Sequence, residues 1–342
     1  MSIKRIIYIH SFLLICCLNS KGQDINFSQF YELPMLRNPS LAGIFAGDYR
    51  LTTAYRNQWQ SVTVPYRSFA AGLEFKKPLS ENNDDFITMG IEATNDVAGD
   101  SKLSRTQAFP VINFHKSIAN NKSTYLSAGI MGGPVFQRFD PSKLNFDDQF
   151  VNGAYRSTNP TQQVFQNTSL VFWDASAGLC FSSFAGDKTP YYIGLAMFHI
   201  TQPKVAFQKQ YDVILNRKWT INAGLATPVS EADKLIAYAD YFMQGGNRQI
   251  QGGVMLAHDF SLFQDEKTSL SGGLFYRWKD AFIPVMKLDY YRLGIGMTYD
   301  INTSKLKTAS QNRGGFELTL SYKAYRDIHN SSANKVKCPS FY

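Results

Sequence analysis

The residues that could do chemistry are few, and their spacing is poor for it. Beyond the N-terminal leader stand His115, His199, His258 and His329. None of these pairs has metal-ligand spacing, and no H-E-x-x-H occurs. His199 follows an apolar run and precedes Thr201-Gln202-Pro203, a place where a general base could stand. The nucleophile motif G-x-S-x-G that would use such a base is absent. Gly294-x-Gly296 opens like a dinucleotide fingerprint, but Tyr299 stands where the third glycine is needed. Cys16 and Cys17 belong to the leader, which leaves Cys180 and Cys338. That count excludes a disulfide framework, although export would permit one bridge. Cys180 falls mid-strand and Cys338 in a terminal tail, so the two are expected apart. The reading is a protein without catalytic, cofactor or metal residues.

What remains is charge at alternate positions. Arg50, Arg56, Glu74, Lys76, Glu92, Asp174 and Asp240 each fall among the polar members of an alternating segment. In a strand, successive side chains point to opposite faces, so these charges share a wet face. On a lipid face each basic residue would cost about 2–4 kcal/mol at the midplane. They are therefore assigned to a lumen. There they could bind a segment of a partner, or pair with one another across a narrow barrel. The 35 Lys and Arg against 27 Asp and Glu are scattered, with no basic stripe, so nucleic acid is not an expected partner.

The elements that carry these charges repeat about every ten residues or more, the span of a tilted membrane strand. In Phe69-Ala70-Ala71-Gly72-Leu73-Glu74-Phe75-Lys76 the odd positions are apolar and the even ones small or charged. The alternation predicts strands at 49–59, 67–76, 86–95, 103–116, 123–138, 170–183, 190–200, 217–227, 234–244, 247–259, 267–278, 281–288, 292–300 and 314–323. Segment 103–116 alternates worst. Residues 139–168, rich in Asn, Asp, Gln and Ser, read as a long loop, as do 201–218. Residues 76–84 and 227–233 are short connectors. Short turns at one end and long loops at the other suit an outer-membrane barrel, whose sheet must close because lipid tolerates no open edge. Interior glycines such as Gly72, Gly129 and Gly178 are expected to relieve crowding where the wall curves. Trp59, Trp173, Trp219 and Trp278 fall near strand ends, where interfacial aromatics belong, although each alone fits a soluble core equally well.

The fold class is thus all-β, a transmembrane antiparallel up-and-down barrel of about fourteen strands with an N-terminal segment before the first. Lys4 and Arg5, then Ile6 to Leu18, then Ser20-Lys21-Gly22, read as a signal peptide over 1–22. The barrel covers 49–323 and a tail covers 324–342. Residues 23–48 form a plug or a docking segment. Phe27, Phe30, Tyr31, Asn38 and Pro39 are its candidate partner-binding residues, because this opening is too apolar for simple disorder. The composition, 44% hydrophobic with a mean hydropathy of −0.23, fits strands that are apolar on one side only.

Gln23-Asp24-Ile25-Asn26-Phe27-Ser28-Gln29-Phe30-Tyr31, then Pro34, Asn38-Pro39 and Ala42-Gly43, are not explained by periodicity. This opening resembles the start of the PorP/SprF family of Bacteroidetes outer-membrane proteins. Tyr55-Arg56-Asn57-Gln58-Trp59, Leu144-Asn145-Phe146-Asp147-Asp148-Gln149, His199-Ile200-Thr201-Gln202-Pro203 and Lys337-Cys338-Pro339 resemble it too. The resemblance implies a multi-pass outer-membrane barrel of the type IX secretion and gliding system. It implies as partner a large secreted adhesin with a C-terminal sorting domain, bound, exported or anchored at the surface. Periplasmic or lipoprotein components of the machinery are further implied partners, beside membrane lipids. It supplies no catalytic residues. The alternatives are an outer-membrane solute pore and a secreted soluble β-sandwich.

Overall fold

The computed structural model describes residues 24–60, 64–79, 84–118, 124–208, 211–260, 268–304 and 310–325. The expected signal peptide, His329, Cys338 and nearly all of the tail lie outside them. Five strands come first: β1 (Tyr49–Gln58), β2 (Tyr66–Pro78), β3 (Phe86–Ala98), β4 (Leu103–Ser117) and β5 (Tyr125–Arg138). A long loop follows, carrying the small pair β6 (Phe150–Val151) and β7 (Ala154–Tyr155). Next come β8 (Ser169–Ala185), β9 (Thr189–Phe198), β10 (Lys218–Pro228), β11 (Asp233–Gln244) and β12 (Asn247–Asp259). The last are β13 (Thr268–Arg277), β14 (Ala281–Tyr290), β15 (Leu293–Asn302) and β16 (Arg313–Ala324). All fourteen expected strands are present, with ends moved by three residues or fewer.

Every barrel strand pairs antiparallel with its neighbours, and β1 pairs with β16 from Tyr49↔Ala324 to Gln58↔Gly315. The sheet is therefore closed, with β6 and β7 set apart in their loop. Closure satisfies the backbone without an edge, as a hydrocarbon surrounding demands.

The alternation sorts the side chains as lipid requires. Leu51, Phe69, Leu73, Ile91, Ile130 and Leu179 are exposed on the outside. All four tryptophans are exposed too, and all lie toward the end that carries the long loops. Tyr49, Tyr290 and Tyr291 mark the opposite end. These are the aromatic girdles of a membrane barrel. The long loops, 139–168 and 199–217, leave from one end, while β1 begins and β16 finishes at the other. Short turns face the periplasm in such barrels, so the long-loop end is the outer one.

Inside, the lumen is occupied. Residues 24–48 run through it as short turns, Phe30–Glu32, Pro34–Arg37 and Pro39–Leu41, and most of their side chains are buried. The poor alternation of β4 has its cause here. Phe109 and Val111 point inward but pack against Met35 and Ala42 of this segment, so β4 is apolar on both faces.

Candidate functional site

The lumen and its thread form the candidate site, built from inward side chains on every part of the wall. At the periplasmic end the Asp48 carbonyl accepts from the Lys76 amide of β2, and Lys76 Nζ donates to the Phe45 carbonyl at 2.5 Å. Midway, Asn38 Oδ1 accepts from the Ser40 amide at 2.9 Å and the Ser40 Oγ at 2.6 Å, which locks a tight turn at Pro39. That turn lies against β5 and β8, where a side chain would not fit. A Cβ on Gly129 would sit 2.6 Å from the Pro39 carbonyl, and one on Gly178 would sit 1.9 Å from Asn38 Oδ1. These glycines make room for the thread, not for the curvature expected of them.

Apolar contacts hold the middle of the thread. Tyr31 stacks on Tyr238 at 5.1 Å and on Phe275 at 5.3 Å, and Phe30 meets Phe275 edge-on at 5.7 Å. Phe27 packs with Leu33 against Ala54 and Ala70 of the wall. Phe27, Phe30, Tyr31, Asn38 and Pro39 are all buried. They are contacts of the chain with itself. An apolar patch on β11 to β14, on the face where alternation predicts polar residues, takes up the aromatics.

The charges assigned to the lumen all point inward and are buried. Arg50 and Glu74 pair wall to wall at 2.6 Å. Arg56 reaches Asp300 at 2.6 Å, and Arg277 reaches the same carboxylate at 3.0 Å. Asp240 instead binds the thread. Arg37 Nε donates to its Oδ2 at 2.9 Å and Arg37 Nη2 to its Oδ1 at 2.6 Å, while Nη1 donates to the Tyr192 hydroxyl at 2.7 Å. Glu317 accepts the amides of Ser28 and Gln29, each at 2.7 Å. Lys287 and Glu32 pair at 2.6 Å. The wall therefore pairs partly with itself and partly with the chain's own N-terminal segment. The Glu92 carboxylate makes no hydrogen bond among the described residues.

At the outer mouth the thread ends in a cluster that the sequence did not reveal. Asp24 accepts from Arg105 at 2.9 Å and from His199 Nε2 at 2.7 Å. The other imidazole nitrogen donates to Asp174 at 2.5 Å. Burial works against the imidazolium, yet the Asp24 charge and the Asp174 hydrogen bond push His199 up to about 9. Burial would likewise raise Asp24, but His199, Lys218 and Arg105 outweigh it and hold the carboxyl well below its usual range. A histidine between two carboxylates with both nitrogens donating is a cationic clamp, with no lone pair left for base catalysis. Inward parity marks Asp300, Glu317, Arg277 and Lys287 as clearly as the charges chosen from the sequence. Arg37 and Asp24 sit in an aperiodic segment, which gives no such signal.

Above the clamp the two long loops pack on each other. Phe139 meets Phe207 at 4.8 Å and Phe165 at 5.2 Å, and Asn167 Nδ2 donates to the Phe207 carbonyl at 3.2 Å. Phe150, Val164, Tyr211 and Val213 remain exposed around them.

A family model described as type IX secretion system membrane protein PorP/SprF matches residues 19–322. The chain belongs to the PorP/SprF family. This PorP/SprF barrel is a multi-pass outer-membrane protein of the type IX secretion system. No curated protein matches it. Its fold is similar to that of the toluene transporter TbuX of Ralstonia pickettii, at 9% identity and a TM-score of 0.50, covering 86% of this chain and 94% of that one. It is also similar to a FadL homologue of Pseudomonas aeruginosa, at 10% identity and a TM-score of 0.51, covering 84% and 92%. At such identity the likeness shows the fold alone.

Proposed function

We propose that this PorP/SprF barrel is a binding protein, not an enzyme, and that it retains a large secreted adhesin at the cell surface through the adhesin's C-terminal sorting domain. The observation that carries this reading is a lumen threaded by the chain's own N-terminal segment beneath two long, mutually packed loops. A barrel so filled offers its outer mouth to a partner and has little use as a conduit. The exposed apolar side chains of both loops suit a protein surface, since such groups rimmed by polar residues mark interaction sites. Family membership supports a role beside the type IX machinery, and periplasmic or lipoprotein components of that machinery are proposed as further contacts. The solute-pore reading is weaker, because the thread is fixed by buried ion pairs along its length.

Surface proteomics on a deletion strain tests the proposal. The expected profile lacks one or a few large adhesins while other type IX substrates stay. An unchanged profile would refute the partner role, and loss of every type IX substrate would point to a part in the machinery itself.

A further inference from the structure

Beside the Asp24 clamp, at the outer mouth, lies a cavity of about 280 Å³. Phe109, Met131, Phe172 and Phe198 of the wall and Leu36 of the thread give it apolar sides. An apolar cavity of about 150 Å³ takes up a benzene molecule, so this one has room for an aromatic ring and several more atoms. Its wall is also polar in an unusual way. Gln107 Oε1, Ser176 Oγ and Arg105 Nε belong to residues that line it, and these atoms make no hydrogen bond among the described residues. Gln107 is 8% exposed and Ser176 2%. Buried polar atoms are nearly always paired, because leaving one unpaired forfeits its hydration without return.

A hydrocarbon would fill the apolar part and leave those atoms as they are. A carboxamide, a hydroxyl and a guanidinium N–H together match the carbonyl and amide groups of a polypeptide. We propose that this cavity receives one aromatic residue of a peptide, the ring against the phenylalanines and the flanking peptide groups on Gln107, Ser176 and Arg105. The inference rests on the partner-holding reading and locates the contact at the outer mouth. Aromatic anchors buried in such pockets carry most of the energy in many interfaces.

The test uses the purified full-length protein in detergent, with N-acetyl-phenylalaninamide as the probe and ligand-detected NMR as the readout. Saturable binding is expected. N-acetyl-alaninamide, which lacks the ring, and toluene, which lacks the amides, should each bind at least tenfold more weakly. Gln107→Leu, which keeps the size and removes the amide, should weaken the probe about tenfold while the heat-dependent gel shift of the closed barrel is unchanged. Toluene binding as well as the probe would overturn the proposal in favour of a free hydrocarbon site. Unaltered probe affinity in Gln107→Leu, or no saturable binding at the probe's solubility limit, would also overturn it. None of these results depends on the adhesin, so failure here and failure in the surface proteome are separate outcomes.

Discussion

Arg37 concentrates at one side chain what holds the thread. Its guanidinium is bidentate to Asp240, donates to Tyr192, and lies 5.0 Å from the Phe30 ring centroid. Nothing in the sequence singles it out, because the turn that presents it has no period to read. The clamp at Asp24 was equally hidden, and it carries a testable pH dependence. The His199 value is raised, so its contribution is complete below the ordinary imidazole value of 6.5 and is lost as pH rises through about 9. The Asp24 value is depressed, so its contribution is present above the ordinary carboxylate range and is lost as pH falls through the depressed value. Amide exchange at residues 24–28, corrected for intrinsic rates, should show steady protection between about pH 5 and 6.5 and a fall by about pH 9. His199→Gln should remove the fall and leave protection low throughout. A wild-type profile that stays flat to pH 10 would show that the imidazolium does not hold the thread.

At the scale of the strand, alternation made the barrel legible, and it failed only where the thread intervenes. Strand β4 looked doubtful because the thread gives Phe109 and Val111 an apolar partner inside the lumen. Strands β11 to β14 carry the same kind of inward apolar residues, since Tyr238, Met255, Phe275 and Ile283 form one buried cluster with Phe30 and Tyr31. Glycine spacing is legible in the sequence but its purpose is not, because what approaches a missing side chain comes from a segment distant in the chain. Two substitutions separate the faces. Leu73→Arg puts a charge on the lipid side near mid-strand and should cost about 2–4 kcal/mol in vesicle-insertion assays. Gly129→Val should leave insertion and the heat shift intact, yet expel the turn at Pro39 and expose residues 24–45 to added protease. Equal damage to insertion by both would mean that the thread is part of what keeps the wall standing.

For the molecule as a whole, the sequence foretold a closed sheet with long loops at one mouth, since a ten-residue apolar alternation has few other uses in an exported chain. It left the lumen open to two readings, ion pairs across the wall or a bound segment. The finished structure has both, with the segment supplied in cis. The consequence for permeation is direct. In planar bilayers the full-length barrel should pass little current, and a variant lacking residues 24–45 behind the same leader should open steady channels. Comparable conductance from both would return the solute-pore reading to first place.

The thread also bears on how such a barrel could be put together. Its far end lies at the outer mouth, and the chain then runs down the lumen and turns directly into β1 at the inner one. The same few residues touch every strand at the seam. Ser28 and Gln29 bind Glu317 of β16, Ser28 Oγ binds Asp300 of β15, and Arg56 of β1 reaches both Asp300 and the Asn26 carbonyl. Drawing this segment through a wall already shut would drag Arg37 and Glu32 past the packed aromatics of the interior. The cheaper order lays it against β15 and β16 first and lets β1 follow it into register. The first and last strands are the pair farthest apart in sequence, which makes their meeting the slowest loop to close by chance. A segment held first against β15 and β16 would shorten that search by keeping β1 beside its partner, without being required for the wall to close.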